Sequence, residues 1–337
     1  MKFVTVLMPV YNCEAYVTEA VESILNQTYD NYELIIVNDC SKDNTLEIIN
    51  ELAARDERIR VVSNEINSGV AASLNRGLEL AKGDYILRMD GDDIAVSNRI
   101  ELQVAFMEAH PEIALSGGGF RYILDGVLQP EEYYLPENHA DLRFGLLFKS
   151  QFAHPTVIMR AGLVAEGFRY DEAYRAEDYE LWGRIAERHQ IANQHEILLH
   201  YRLLENSATQ KYAEGNQIEK GAIQTANFKR LGIDLKTYNN LLQGAESLEQ
   251  LQDWEKAINQ ALTHSEFAGK VSGLMVKGLL SELYNATSNR MRKPINVDTR
   301  FNRVFAEAIK ANSWPKTHSL KSYLKVFGKY LQYALKK

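Results

Sequence analysis

The chain has 337 residues, 45% of them apolar, and a formal net charge of −7. Its length predicts one domain of roughly 200 residues plus an appended unit; its apolar share excludes a disordered chain, and its acidic balance excludes a general nucleic-acid-binding surface. No run of about 18 apolar residues occurs, so no bilayer-spanning segment is expected; the opening MKFVTVLMPVYN lacks a leader pattern, and the two cysteines, Cys13 and Cys40, lack metal-site spacing and suit a reducing cytosol.

The first third alternates apolar runs with helical patterns. FVTVLMPV (3–10) reads as a buried strand, TEAVESILNQ (18–27) as a helix and YELIIVND (32–39) as a second strand. TLEIINELAARD (45–56) is helical, IRVVSN (59–64) is a strand, GVAASLNRGLELAKG (69–83) is a helix closed by glycine, and DYILRMD (84–90) is a fourth strand. The alternation predicts an α/β fold with a mostly parallel sheet, helices on both faces, and strand C-termini along one edge where a ligand crevice forms.

RIELQVAFMEAH (99–110) then reads as a helix and ALSGGGFRYI (114–123) as a strand, followed by an irregular stretch, DGVLQPEEYYLPEN. FAHPTVIMR (152–160) reads as a strand, YRAEDYELWGRIAERH (174–189) as a loop feeding a helix, and NQHEILLHYRLLENSAT (193–209) as a strand with a polar tail. From Lys211 strand patterns vanish and helical periods take over, so the boundary is placed between a 1–210 unit and a helical 211–337 unit. Residues 288–337 hold 12 Lys/Arg against 2 Asp/Glu, which leaves the rest of the chain strongly acidic.

Polar residues collect at four strand ends: PVYNCE (9–14), NDCSKDN (38–44), NEINSG (64–69) and DGDD (90–93). Any one such loop is explained by helix capping, with Ser41 and Ser68 as caps, but four together favour a crevice. Asp90, Asp92 and Asp93 repel one another unless a cation neutralises them, and Mg²⁺ or Mn²⁺ with a diphosphate suits an all-oxygen set. Neither G-x-G-x-x-G nor G-x-x-x-x-G-K-[ST] is present, so phosphate would have to be held by metal and cationic side chains.

Together VLMPVYNCEAYVTEAVESILNQTY, LIIVNDCSKDNT, NEINSGVAASLNRGL, GDYILRMDGDD, FAHPTVIMR, AEDYELWGRI and YRLLENSAT resemble the inverting glycosyltransferases of family 2, in particular the bacterial exopolysaccharide, capsule and O-antigen enzymes. The resemblance covers about residues 3–210 and implies a GT-A fold, a Rossmann-like α/β unit. It implies that Tyr11, Glu14 and Asp39 contact the nucleotide base, usually uracil, with Pro9, Asn12 and Asn67 on the same loops completing the donor set. It makes Asp92 the metal ligand, with Asp90 near the ribose or base and Asp93 beside it. Glu177 falls at the donor sugar, Asp178 becomes the catalytic base, and Arg202 and Ser207 grip the diphosphate. The chain departs from many relatives at Leu74, where an arginine precedes the helix asparagine, here Asn75.

The implied chemistry is coherent. Inversion in one displacement needs one base to take the acceptor proton and a stabilised nucleoside diphosphate leaving group. The expected reaction moves a sugar from a nucleotide-diphosphate sugar, with UDP the expected nucleotide, to a saccharide or lipid-linked saccharide acceptor in surface polysaccharide synthesis. The competing readings are a sugar-nucleotide nucleotidyltransferase, which needs a Gly-rich basic first loop that PVYNCE does not supply, and a nucleotide-sugar-binding protein without turnover.

Other residues carry weaker signals. For Asp178 the competing role is a helix cap; for Glu177 it is a solvated loop charge; for His154 it is a packed, hydrogen-bonded imidazole; for Trp182 it is core. Tyr133 and Tyr134 are divided between an acceptor groove and surface packing, and His200 is a lesser candidate for the metal shell. KTHSLKSYLKVFGKYLQYALKK (316–337) sets Leu320, Leu324, Phe327 and Leu331 at helical spacing among lysines, a pattern shared by internal packing and by peripheral contact with anionic membrane. The expected location is the cytoplasm, with docking on the inner membrane face.

Overall fold

The computed structural model describes residues 1–204, 216–235 and 240–292, with the single positions 295, 300 and 304. Ser207, the polar tail to 209 and the basic segment 316–337 lie outside the described residues.

Strand β1 (Val4–Val10) is buried along its whole length, as a central strand covered on both faces must be. It pairs in parallel with β2 (Tyr32–Asn38) and β4 (Tyr85–Arg88), and β2 pairs in parallel with β3 (Ile59–Ser63). Helices α1 (Val17–Leu25), α2 (Thr45–Ala53) and α3 (Val70–Leu80) make the crossovers. Val17, Ala20, Val21 and Ile24 form one buried stripe on α1, which is why its period reads so plainly from the sequence.

Beyond β4 the sheet is mixed. β5 (Ile94–Ala95) and α4 (Arg99–Ala109) precede the long β6 (Ile113–Leu124), which pairs antiparallel with β7 (Val127–Tyr133). After α5 (His139–Gly145), a 3-10 turn (His154–Thr156) leads into β8 (Ile158–Arg160); α6 (Gly162–Ala165), α7 (Glu177–Arg188) and β9 (Gln190–Arg202) follow. The order is β3-β2-β1-β4-β8-β6-β9-β5, with β7 attached to β6.

Two expectations change here. The stretch expected to be irregular is a hairpin: Asp125 and Gly126 both take positive φ (49° and 78°), the geometry of a tight two-residue turn. Pro130 and the exposed glutamates argue against a central strand, but β7 pairs only with β6 and so tolerates a proline. The expected strand at 152–160 is strand only over its last three residues, because Pro155 belongs to the 3-10 turn.

Helices α8 (Asn216–Arg230), α9 (Leu248–Thr263) and α10 (Gly273–Met291) supply a separate apolar cluster around Trp254, Phe228 and Tyr284. That cluster also takes in Phe144, Leu147 and Phe148, so residues at and just after α5 pack into the helical part. No described helix is long and apolar enough to cross a membrane.

Candidate functional site

The C-terminal ends of β1, β2, β3 and β4 bring the four polar loops to one edge. The first two are laced together: the Asn12 amide donates to Ser41 Oγ at 3.1 Å, Asn12 Oδ1 accepts from the Lys42 amide at 2.7 Å, and Glu14 Oε2 accepts from the Asn44 amide at 2.7 Å. Asn12 and Cys40 hold positive φ (50° and 60°), a conformation asparagine tolerates better than most residues. Ser41 and Ser68 are not helix caps; Asn44 and Gly69 occupy those positions and neither makes a side-chain cap bond.

Asp39 binds the third loop to the second. Its Oδ1 accepts from Asn64 Nδ2 and the Ser68 amide, both at 2.8 Å, and its Oδ2 accepts from the Gly69 amide at 2.8 Å. Asn67 Nδ2 donates to the Asp39 carbonyl at 3.2 Å. Tyr11 stands 47% exposed at the mouth of this platform, where a flat ligand can reach its ring. Pro9 lies within β1, in register with Val37.

The fourth loop carries the acidic triad. Carboxylate oxygens of Asp90, Asp92 and Asp93 all lie within 4.8 Å of one another. Gly91 makes this possible, because a Cβ there would stand 2.7 Å from Val10 Cγ1 at the end of β1. Asp93 Oδ1 accepts from the Arg202 amide at 2.7 Å, whereas its Oδ2 is buried with no hydrogen-bond partner. Burial, and then the charge of Asp90, pushes the Asp92 carboxyl up to about 6 and raises Asp93 well above the carboxylate range. Three hard oxygen donors, one buried and orphaned, on carboxyls that resist ionisation alone are what a divalent cation relieves.

Arg202 closes one side of the loop. Its Nε donates to the Asp92 carbonyl at 2.8 Å, its Nη2 meets Glu19 at 2.6 Å, and its guanidinium lies 4.8 Å from the Tyr16 ring centroid. Much of this cation is thus spent on shaping the acidic loop.

Glu177 and Asp178 open α7. Ala176 is the N-cap and makes no side-chain bond, so the negative charge of this first turn meets the helix dipole directly. Burial raises both carboxyls; Glu177, also facing the charge of Asp178, is pushed to about 8. Asp178 Oδ2 accepts from Ser150 Oγ at 3.3 Å, and the Tyr179 amide also stabilises its ionised form. His154 Nδ1 is 3.8 Å from Glu177, and its Nε2 is 3.0 Å from the Tyr170 hydroxyl. Burial depresses the His154 imidazole well below its ordinary range. The charge of Asp90 reaches Glu177, so the two acidic clusters share one electrostatic environment.

The family model described as Glycosyl transferase family 2 matches residues 5–164. An uncharacterized glycosyltransferase of Haemophilus influenzae is 34% identical over 253 residues, covering 71% of this chain and 78% of the relative. The chain belongs to glycosyl transferase family 2. It is a glycosyltransferase. The Escherichia coli UDP-Glc:alpha-D-GlcNAc-diphosphoundecaprenol beta-1,3-glucosyltransferase WfaP is 35% identical over 187 residues, 55% of this chain and 70% of that protein. The crystal structure of Staphylococcus aureus TarS 1–349 in complex with UDP-GlcNAc covers 92% of this chain and 89% of that chain, with 19% identity and a TM-score of 0.57, a likeness of fold. The GT-A expectation holds for this transferase.

Not every sequence candidate joins the site. Trp182 is core, fully buried and in edge-on contact with Phe152 and His154. His200 pairs with Ile94 across β5 and β9 and is not one of the clustered ligand groups. Tyr133 stacks on Phe120 at 5.5 Å, and Tyr134 stacks on His195 at 4.2 Å. Leu74 is fully buried in the core, which explains the departure at this position: here α3 faces inward, while Asn75 Nδ2 donates to the Tyr170 carbonyl at 2.9 Å. Sequence reasoning passed over Arg88, a buried cation paired with Asp90, although an arginine inside the apolar run YILRM was the signal for it.

Proposed function

We propose that this family 2 glycosyltransferase moves a sugar from a UDP-sugar to a saccharide or lipid-linked saccharide acceptor in surface polysaccharide synthesis, with inversion. The observation that carries the reading is two acidic clusters whose charges act on each other: the triad after β4 and the Glu177–Asp178 pair at the start of α7. A relative named for UDP-Glc and a diphosphoundecaprenol acceptor, and a structural neighbour bound to UDP-GlcNAc, favour the donor and acceptor classes.

In this reading Tyr11, Glu14, Asp39 and Asn67 form the base platform, and Pro9 and Asn12 set the first loop. Asp92, with Asp90 and Asp93, holds Mn²⁺ or Mg²⁺. The bound cation supplies charge stabilisation to the departing diphosphate. Arg202 shapes the acidic loop, and Ser207 of the same segment is assigned to the diphosphate. Glu177 lies at the donor sugar. Asp178, oriented by Ser150, takes the acceptor hydroxyl proton as the new bond forms, and the single base suits one displacement. The catalytic unit spans 1–210 and the helical unit 211–337, with Phe144, Leu147 and Phe148 fastening them. The basic segment 316–337 contacts anionic lipid at the inner face of the membrane, bringing the site to its acceptor.

The test is Asp178→Asn assayed with UDP-sugars, Mn²⁺ and diphospholipid-linked saccharides. Transfer should fall by about 100-fold or more while UDP affinity stays near that of the wild type. Near-normal turnover would reduce Asp178 to a helix-terminal charge, and lost UDP affinity would move it to the nucleotide platform.

A further inference from the structure

Asp178 is held through two segments, and both are fastened to α8 of the helical unit. The first is the turn that carries Ser150, whose hydroxyl donates to Asp178 Oδ2 at 3.3 Å; among the described residues no other side chain hydrogen-bonds this carboxyl. In the same turn the Phe148 carbonyl accepts from Gln224 Nε2 at 2.6 Å, and the Leu146 carbonyl accepts from Asn227 Nδ2 at 2.6 Å and from the Tyr179 hydroxyl at 2.9 Å. The second is the stretch that feeds α7. Its Arg175 amide donates to Glu219 Oε2 at 3.0 Å, just ahead of the N-cap Ala176. Because α7 has no side-chain cap of its own, an acceptor from α8 fixes the peptide that leads into the base.

Gln224 is the centre of this attachment. Its side chain is fully buried and every bond it makes is fixed: Nε2 donates to the Phe148 carbonyl and to Asn240 Oδ1, both at 2.6 Å, and Oε1 accepts from the Leu241 amide at 2.7 Å. An amide buried beside an apolar cluster must have its bonds satisfied, and a fully satisfied network holds its members in one arrangement. The packing around it is equally close. Ile223 lies in one apolar cluster with Tyr179 and Trp182 of α7, and Gly183 of α7 has no room for a Cβ against Asn227. Lys149, next to Ser150 in the chain, is tied to Glu282 of α10 at 2.6 Å.

We propose that Gln224 of the helical unit is a positioning residue for Asp178: by holding the Phe148 carbonyl it sets the turn from which Ser150 bonds the carboxylate, while Glu219 of the same helix holds the peptide ahead of α7. The inference rests on reading Asp178 as the base. It makes α8 a part of the transfer site, not only of a neighbouring core, since the one side-chain hydrogen bond to the base depends on where α8 places residues 146–150.

The test is ¹³C carboxyl NMR titration of Asp178 in the full-length protein. Every sample carries Glu177→Gln, so that one carboxyl of the pair titrates, and the resonance is assigned through Asp178→Asn. Losing a hydrogen bond to the ionised form raises a carboxyl, so Ser150→Ala should lift the Asp178 midpoint by about half a pH unit or more. Gln224→Met should lift it too, and the two substitutions together should lift it no further than the larger single effect. A Gln224 that only packs would lower the melting temperature and leave the midpoint in place. A folded Gln224→Met protein titrating like its parent overturns the proposal, as do effects that add in the double variant or a Ser150→Ala protein that does not shift. If Gln224→Met fails to fold, Asn227→Ala, which frees the Leu146 carbonyl from α8, decides by the same comparison. No substrate is needed, so a wild type that transfers no sugar would sink the transferase reading while the titration still answers for Gln224. With Glu177 restored and an active wild type, Gln224→Met should lower kcat by about tenfold or more at unchanged KM for the UDP-sugar; a lifted midpoint with wild-type kcat would strike Asp178 as the base.

Discussion

Asp92→Asn should make the metal-free protein more stable. The Asp92 carboxyl is pushed up to about 6 in the fold from an ordinary 3.8, so between those values the native state binds more protons than the unfolded chain. Stability from this group is therefore lost as pH rises from about 4 to about 6, and the deficit is constant above that. At 1.36 kcal/mol per pH unit the full difference is about 3 kcal/mol; partial exposure of the side chain discounts it to roughly 1–2 kcal/mol. That corresponds to a melting temperature higher by roughly 2–5 °C at pH 7.5 in EDTA, with the gain vanishing below about pH 4. Adding Mn²⁺ and UDP should reverse the order, because binding stabilises the wild type by mass action and the variant has lost a ligand. Differential scanning fluorimetry across pH, with and without metal, reads both halves. A variant that melts below wild type in EDTA at pH 7.5, or gains as much from Mn²⁺ and UDP, would refute the reasoning.

Asp39→Asn should cost about 1–3 kcal/mol in a urea titration, since the amide keeps one accepting oxygen and either the Gly69 amide or the Asn64 and Ser68 donors lose their partner, and calorimetry should show weaker UDP binding as the platform loosens. Gly83→Ala, far from the acidic loop, should cost about 3 kcal/mol with the ligand affinity of the folded fraction unchanged, because its Cβ would stand 2.4 Å from the Thr5 nitrogen and 2.5 Å from the Tyr85 oxygen.

The parallel half of the fold was legible because its signals are local. Val4–Val10 and Tyr32–Asn38 read as near-continuous apolar runs, and the buried stripe of α1 repeats with the helical period. The mixed half was less so, because the β6–β7 hairpin depends on an edge position that excuses Pro130, and β8 is shortened by the 3-10 turn that holds Pro155. At the site, the acidic residues announced themselves by type and spacing. Their supports did not: Ser150, Tyr170 and Glu19 come from segments far away in sequence, and Arg88 looked like an interruption in an apolar strand. Asp39 reads in sequence as a ligand contact, but its side-chain oxygens are already engaged in holding the third loop, so its share in ligand recognition runs through loop geometry.

The central claim is that the triad at the end of β4 holds a divalent cation that carries a nucleoside diphosphate. Titration calorimetry of the wild type with UDP, in saturating Mn²⁺ and again in EDTA, tests it most directly. The account predicts a one-to-one binding isotherm with Mn²⁺ that disappears on chelation; equal UDP affinity in both buffers would contradict it.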